Sequence, residues 1–196
     1  MEVISQLNEL LKAIKKPLGE EEVKKVMTGE EEVASAAASN VRRCLNHFVM
    51  IPDFKANSKS DAFEKLTAMI AEANPANIKN LELVRKAVKD RENSMPTGLD
   101  HGIAVPHGRT DAVSTIVGAV AIVDNSNNEN GSIPDYETID HSAIQIIIMT
   151  IAPESAQSPY LQLMAFMSRA VRADNGYERL KECKTPEEMR KFFKSC

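Results

Sequence analysis

The sequence contains no tryptophan, three cysteines and only 5% aromatic residues. Cys44, Cys183 and Cys196 form an odd, widely spaced set without a CxxC pair. That pattern suits neither a disulfide framework nor a cysteine-ligated zinc site, and it reads as three reduced thiols. A basic face is also missing. The net charge is −4 and the lysines and arginines are scattered among carboxylates, so nothing is positioned to neutralise nucleic-acid phosphates. No apolar run is long enough to cross a bilayer as a helix: the longest, 115–123 and 143–152, are short and rich in β-branched residues, as buried strands are. The N-terminus has neither the basic start nor the apolar stretch of a secretory signal, which places the expected chain in the cytosol. Glycine-rich nucleotide fingerprints are absent, with no GxGxxG and no GKS or GKT.

What is present is an ordinary globular composition, 43% hydrophobic and 27% charged, in a chain of 196 residues. That length fits one domain with an extension. Val3, Ile4, Leu7, Leu10, Leu11 and Ile14 recur at helical spacing before Pro17 and Gly19. Thr28-Gly-Glu-Glu31 fits a capping box ahead of Val33, Ala37, Val41, Leu45 and Phe48. These two helices make up an N-terminal helical extension, residues 1–47, and the main domain runs over 48–196.

The main domain opens with a short apolar segment leading to Pro52. Ser60-Asp61 then precedes a helix carrying Phe63, Leu66, Met69 and Ile70, and Asn80 caps another with Leu81, Val84 and Val88 inward. Strands are expected at 102–105, 115–123 and 143–151, with an exposed Gly/Asn/Ser-rich connection between Asp124 and Asp135. Helical patterning returns over 159–173, breaks at Asn175-Gly176, and resumes after Thr185-Pro-Glu-Glu188, a second capping box with proline in the first turn. Helices alternating with strands imply a layered α/β domain.

The chemistry concentrates in Thr97-Gly-Leu-Asp-His-Gly-Ile-Ala-Val-Pro-His-Gly-Arg-Thr-Asp111, where an apolar strand ends in Pro106-His107-Gly108. Proline stiffens the approach and glycine opens backbone geometry closed to other residues, so the His107 imidazole stands at a strand end beside exposed amides. A neutral imidazole near pH 7 is a competent nucleophile for a phosphoryl group, provided donors such as arginine balance the charge that arrives. A lone histidine on a loop is more often a structural or merely solvated residue, and periodicity does not change that balance.

Arg91-Glu92, then Thr97-Gly98, then Gly102-Ile-Ala-Val-Pro-His107-Gly108 resembles the signature of fructose/mannitol-type IIA domains of the sugar phosphotransferase system, a group that includes the nitrogen-regulatory IIA proteins. Arg91 stands sixteen residues before His107, the interval found in that family. Downstream, Asp135-Tyr-Glu-Thr-Ile-Asp140, the strand to Ile151-Ala-Pro153, and a helix with Ser168-Arg169 follow the family's usual order, so the resemblance covers about 48–196. It implies a mixed central β-sheet flanked by helices. It also implies that His107 accepts phosphate from the small carrier HPr and passes it to a IIB domain, with Arg91 bracing the phosphate and without metal or organic cofactor. One position departs. Family members commonly carry a second histidine where this chain has Tyr160, whose hydroxyl donates a hydrogen bond but supplies no imidazolium charge.

The remaining candidates have plainer readings. His101 either lines the same pocket or is an exposed loop residue; His141 beside Asp140 solvates a turn; His47 sits at a helix end, where the dipole favours it. Arg109 and Asp111 flank the His107 loop, and Met164 and Met167 near Tyr160 read as packing residues. The leading expectation is a phosphocarrier. Its alternative is a IIA-like regulatory domain controlling a membrane transporter or another protein, for which the tyrosine and the N-terminal helices both speak. A hydrolase using His107 as base has no serine or cysteine motif behind it. The stripe from Val3 to Ile14 packs equally well on its own domain or on a second copy in a homodimer.

Overall fold

A computed structural model describes residues 38–124, 133–136, 138–173 and 175–196. The chain divides into two units, Met1–Ser39 and Asn40–Cys196. The helix expected at 3–14 and the capping box at Thr28 lie outside the described residues, as does most of the Gly/Asn/Ser-rich connection. The second unit opens on helical residues 40–45.

Five strands form one mixed sheet. They are β1 (Phe48–Phe54), β2 (Ile103–Ala104), β3 (His107–Arg109), β4 (Val117–Val123) and β5 (Ile146–Ala152). The order is β1-β4-β5-β2, with β3 also on β5. β1 runs parallel to β4, β4 antiparallel to β5, and β2 and β3 both parallel to β5. β4 and β5 are the centre of the sheet and are buried at every position, as expected of strands covered on both faces. Their side chains alternate. Val117, Ala119, Ala121, Ile147, Met149 and Ile151 face one layer of helices, while Val120, Ile122, Ile146 and Ile148 face the other. Each large aliphatic side chain fully buried in these layers contributes about 2 kcal/mol.

The first layer holds α1 (Lys59–Ala73) and α2 (Leu81–Ser94). Asn80 caps α2 by accepting from the Leu83 backbone N–H at 3.1 Å, as its sequence position implies. The cap of α1 is Ser58, not the Ser60-Asp61 pair: Ser58 Oγ accepts from the Asp61 N–H at 3.0 Å, which places Ser60 inside the first turn. Glu64 fastens the two helices together, 2.8 Å from Arg85 Nε and 2.6 Å from Lys89 Nζ.

The other layer holds α3 (Gln157–Arg172), a short α4 (Gly176–Lys181) and α5 (Pro186–Lys194). The break at Asn175 is real, since that residue adopts φ +60°, yet one helical turn and a half follow it before the next cap. Thr185 and Glu188 form the full reciprocal capping box, and α5 buries Met189, Phe192 and Phe193.

Candidate functional site

His107 does not stand beyond the end of a strand. It opens β3, paired with Thr150 of β5, and Gly108 and Arg109 follow opposite Ile151 and Ala152. The segment before it is a strap. Leu99 N–H donates to Ile103 C=O, Val105 N–H to Thr97 C=O at 3.0 Å, and Gly98 bridges Ala104, so residues 97–105 fold back on themselves. At the tip His101 (φ +55°) and Gly102 (φ +71°) are left-handed, and a Cβ on Gly102 would collide with the Ala143 carbonyl oxygen at 2.2 Å. Glycine is required there.

The imidazole of His107 is fixed at one nitrogen. Nδ1 lies 2.8 Å from the Val105 carbonyl oxygen, which can only accept, so Nδ1 carries a proton and, in the neutral ring, Nε2 keeps its lone pair. The ring is half-buried, and the Tyr160 ring lies 6.2 Å away, centre to centre. Tyr160 belongs to the first turn of α3, which follows β5 through the turn 153–156. Strand pairing and chain connection therefore bring the two rings together from opposite directions.

Two arginines act on this spot. Burial raises the Tyr160 hydroxyl above its usual range, while the positive charges of Arg91 and Arg109 pull it back. Arg91 lies in the last turn of α2 and donates to the Met95 carbonyl at 2.8 Å; among the described residues no carboxylate pairs with it. Gly108 sits against the same helix: a Cβ there would stand 3.0 Å from the Ala87 carbonyl carbon and Val88 nitrogen, so a larger residue would require α2 and β3 to move apart by a few tenths of an ångström. Arg109, two residues beyond His107 on the same strand, is held by the backbone carbonyl and the carboxylate of Glu154.

The structure thus brings His107 and Tyr160 together, with the charge of Arg91 beside them. His101 goes elsewhere: its side chain is 78% exposed and its Nε2 is 3.8 Å from Asp100, while its backbone N–H is accepted by Asp140. His47 shares a hydrogen bond with Asn74, and His141 sits at φ +58° in a turn closed on Thr138. Arg109 is more engaged than its loop position suggests. Its signal in the sequence is the two-residue spacing from His107, which puts both side chains on one face once the segment is a strand. Among the described residues no group of three or more His, Cys, Asp or Glu is arranged to hold a metal, and no helix is long and apolar enough to cross a membrane.

Residues 44–196 match the family described as phosphoenolpyruvate-dependent sugar phosphotransferase system, EIIA 2. A nitrogen regulatory protein of Bradyrhizobium diazoefficiens is 28% identical over 123 residues, 63% of this chain and 74% of that protein. A fructose-specific EIIA component of a phosphotransferase system, from Haloferax volcanii, is 27% identical over 128 residues, 65% and 77% of the two chains. The fold is also that of the mannitol IIA enzyme of Escherichia coli in its complex with phosphorylated IIB, with a TM-score of 0.56, 20% identity, and coverage of 75% of this chain and 94% of that one.

Proposed function

Since the chain belongs to the EIIA 2 family of the phosphoenolpyruvate-dependent sugar phosphotransferase system, we propose that it is a phosphohistidine carrier domain, residues 48–196, with His107 as the residue that takes the phosphate. The observation that carries this reading is the hydrogen bond from His107 Nδ1 to the Val105 carbonyl, because it leaves Nε2 as the nucleophile. Nε2 attacks the phosphorus of a donor phosphohistidine in line. The new Nε2–P bond forms as the donor's N–P bond breaks, the donor leaves as an imidazole, and the proton stays on His107 Nδ1, donated to the Val105 carbonyl.

The incoming group brings nearly two negative charges. Arg91, with no carboxylate paired to it among the described residues, and Arg109 supply the opposite sign, and the Tyr160 hydroxyl donates one hydrogen bond. Donor and acceptor are both proteins in this reading: an HPr-like carrier gives the phosphate and a IIB domain takes it, as IIB accompanies the mannitol relative.

A second reading has its own support. Tyr160 stands in place of an imidazole, and a close relative is a nitrogen regulatory protein. On that reading the domain keeps the fold and controls a transporter or another partner, with little or no phosphate passed on to sugar.

The test is phosphorylation by phosphoenolpyruvate, enzyme I and HPr, followed by intact mass under alkaline conditions. Wild type gains one phosphate, and His107→Ala gains none. Should wild type remain unmodified while Tyr160→His gains phosphate, the regulatory reading replaces the carrier.

A further inference from the structure

Glu92 is an ionisable residue placed against two physical preferences. It lies in the last turn of α2, where the helix dipole disfavours an acid, and its side chain is only 4% exposed. A carboxylate tolerates such a place only when its oxygens are fully engaged. They are: Lys59 Nζ is 2.8 Å from Oε1, the Thr97 backbone N–H reaches both oxygens at 3.3 and 3.2 Å, and the Thr97 hydroxyl donates to Oε2. The Tyr136 ring closes the cluster, edge-on to Phe63 at 5.7 Å and with the Lys59 ammonium 5.0 Å from its centre.

Both ends of this arrangement point to the site. Glu92 is the chain neighbour of Arg91. Thr97, the residue it grips, accepts at its own carbonyl from the Val105 N–H at 3.0 Å, and the Val105 carbonyl accepts from His107 Nδ1 at 2.8 Å. Lys59, Glu92, Thr97, Val105 and His107 form one unbroken line of polar contacts from α1 to the imidazole.

We propose that Glu92 is a positioning residue for His107: by clamping Thr97 to the end of α2 it holds the strap whose Val105 carbonyl fixes the ring's tautomer and aims Nε2. This rests on the reading of His107 as phosphate acceptor for its consequence, but the clamp itself is a property of the unphosphorylated chain. Without the clamp, Thr97 leaves α2, Val105 loses its anchor, and the Nδ1 hydrogen bond competes with solvent. Both tautomers then populate, and only one presents a free Nε2.

The experiment uses the full chain in three forms, wild type, Glu92→Gln and Thr97→Val. Long-range nitrogen–proton NMR of the histidine rings reads the tautomer directly, and transfer from phosphorylated HPr reads the consequence. Wild type shows His107 in the Nδ1–H form; both variants show a mixture, kcat falls about tenfold, equivalent to about 1.4 kcal/mol of barrier, and KM for the donor is unchanged. A wild-type tautomer and rate in two folded variants would overturn the proposal. If Glu92→Gln unfolds at the assay temperature, Thr97→Val decides, because it leaves the Lys59–Glu92 pair in place. If no form takes phosphate yet the variants lose the Nδ1–H tautomer, the clamp stands and the carrier reading fails.

Discussion

Gly108 and Val88 approach so closely that a Cβ on residue 108 would stand 3.0 Å from the Val88 backbone nitrogen. This is the point where β3, carrying His107, meets α2, carrying Arg91 one turn further on. Neither side of the contact is a flexible side-chain end, so relief must come from movement of the helix. Gly108→Ala is therefore expected to destabilise the fold by about 1–3 kcal/mol, the usual cost of overpacking, and to slow phosphorylation of His107. Urea denaturation and the mass assay on the same sample check both.

Tyr160→Phe keeps the ring beside His107 and removes only the hydroxyl. A hydrogen bond to a charged group is worth about 1.5 kcal/mol or more, so transfer is expected to slow by about tenfold. Arg109→Ala removes a charge held by Glu154 and should slow transfer as well, without changing the overall fold as seen by circular dichroism. Unchanged rates in both variants would leave Arg91 as the sole electrostatic partner.

The carboxylate of Asp140 holds the strap tip by accepting from the His101 N–H at 2.9 Å and from the Ser142 N–H and hydroxyl. These bonds, the one from His101 foremost, depress its pKa well below the ordinary carboxylate range. A depressed folded-state value means that the contribution is fully present above the unfolded-state pKa, about 3.9, and is lost as pH falls through the folded-state value. Wild type is thus expected to exceed Asp140→Asn in stability at pH 6 and to converge with it in strong acid. Denaturant midpoints across that range test the sign.

Thr185→Ala removes one half of a capping box whose two hydrogen bonds are both made. About 1 kcal/mol of stability should go with it. The loss falls on α5, whose Arg190 donates to the Phe48 carbonyl at 3.1 Å, so hydrogen exchange should quicken in β1 along with the helix.

The parts of the fold legible in the sequence were those decided locally. Asn80 and Thr185 cap their helices from side chain to nearby backbone, and β4 and β5 are apolar runs too short and too β-branched for anything else. β1 was not legible as a strand because Pro52 interrupts it. Its place at the sheet edge, with irregular register between Ile51 and Phe54, makes the missing N–H harmless. β3 has three residues after a proline, and only pairing with a strand some forty residues away makes it one. Ser60-Asp61 reads as the start of its helix, and the structure sets the cap two residues earlier, at Ser58. At the site, His107 and Arg91 came from a motif and not from periodicity. Glu92 lay inside the quoted motif without a role; its signal was an acid one turn from a helix C-terminus, which calls for a partner that spacing alone does not name.

The pairing of His107 with Thr150 also sets when the surroundings of the histidine can form during synthesis. As the chain leaves the ribosome, His107 emerges well before β5 and the first turn of α3. Until those residues follow, β3 has no partner strand and Tyr160 has not been made. A nascent chain stopped short of residue 146 carries the histidine without β5 and without Tyr160, so on the proposed reading the competence of His107 for phosphate waits for both.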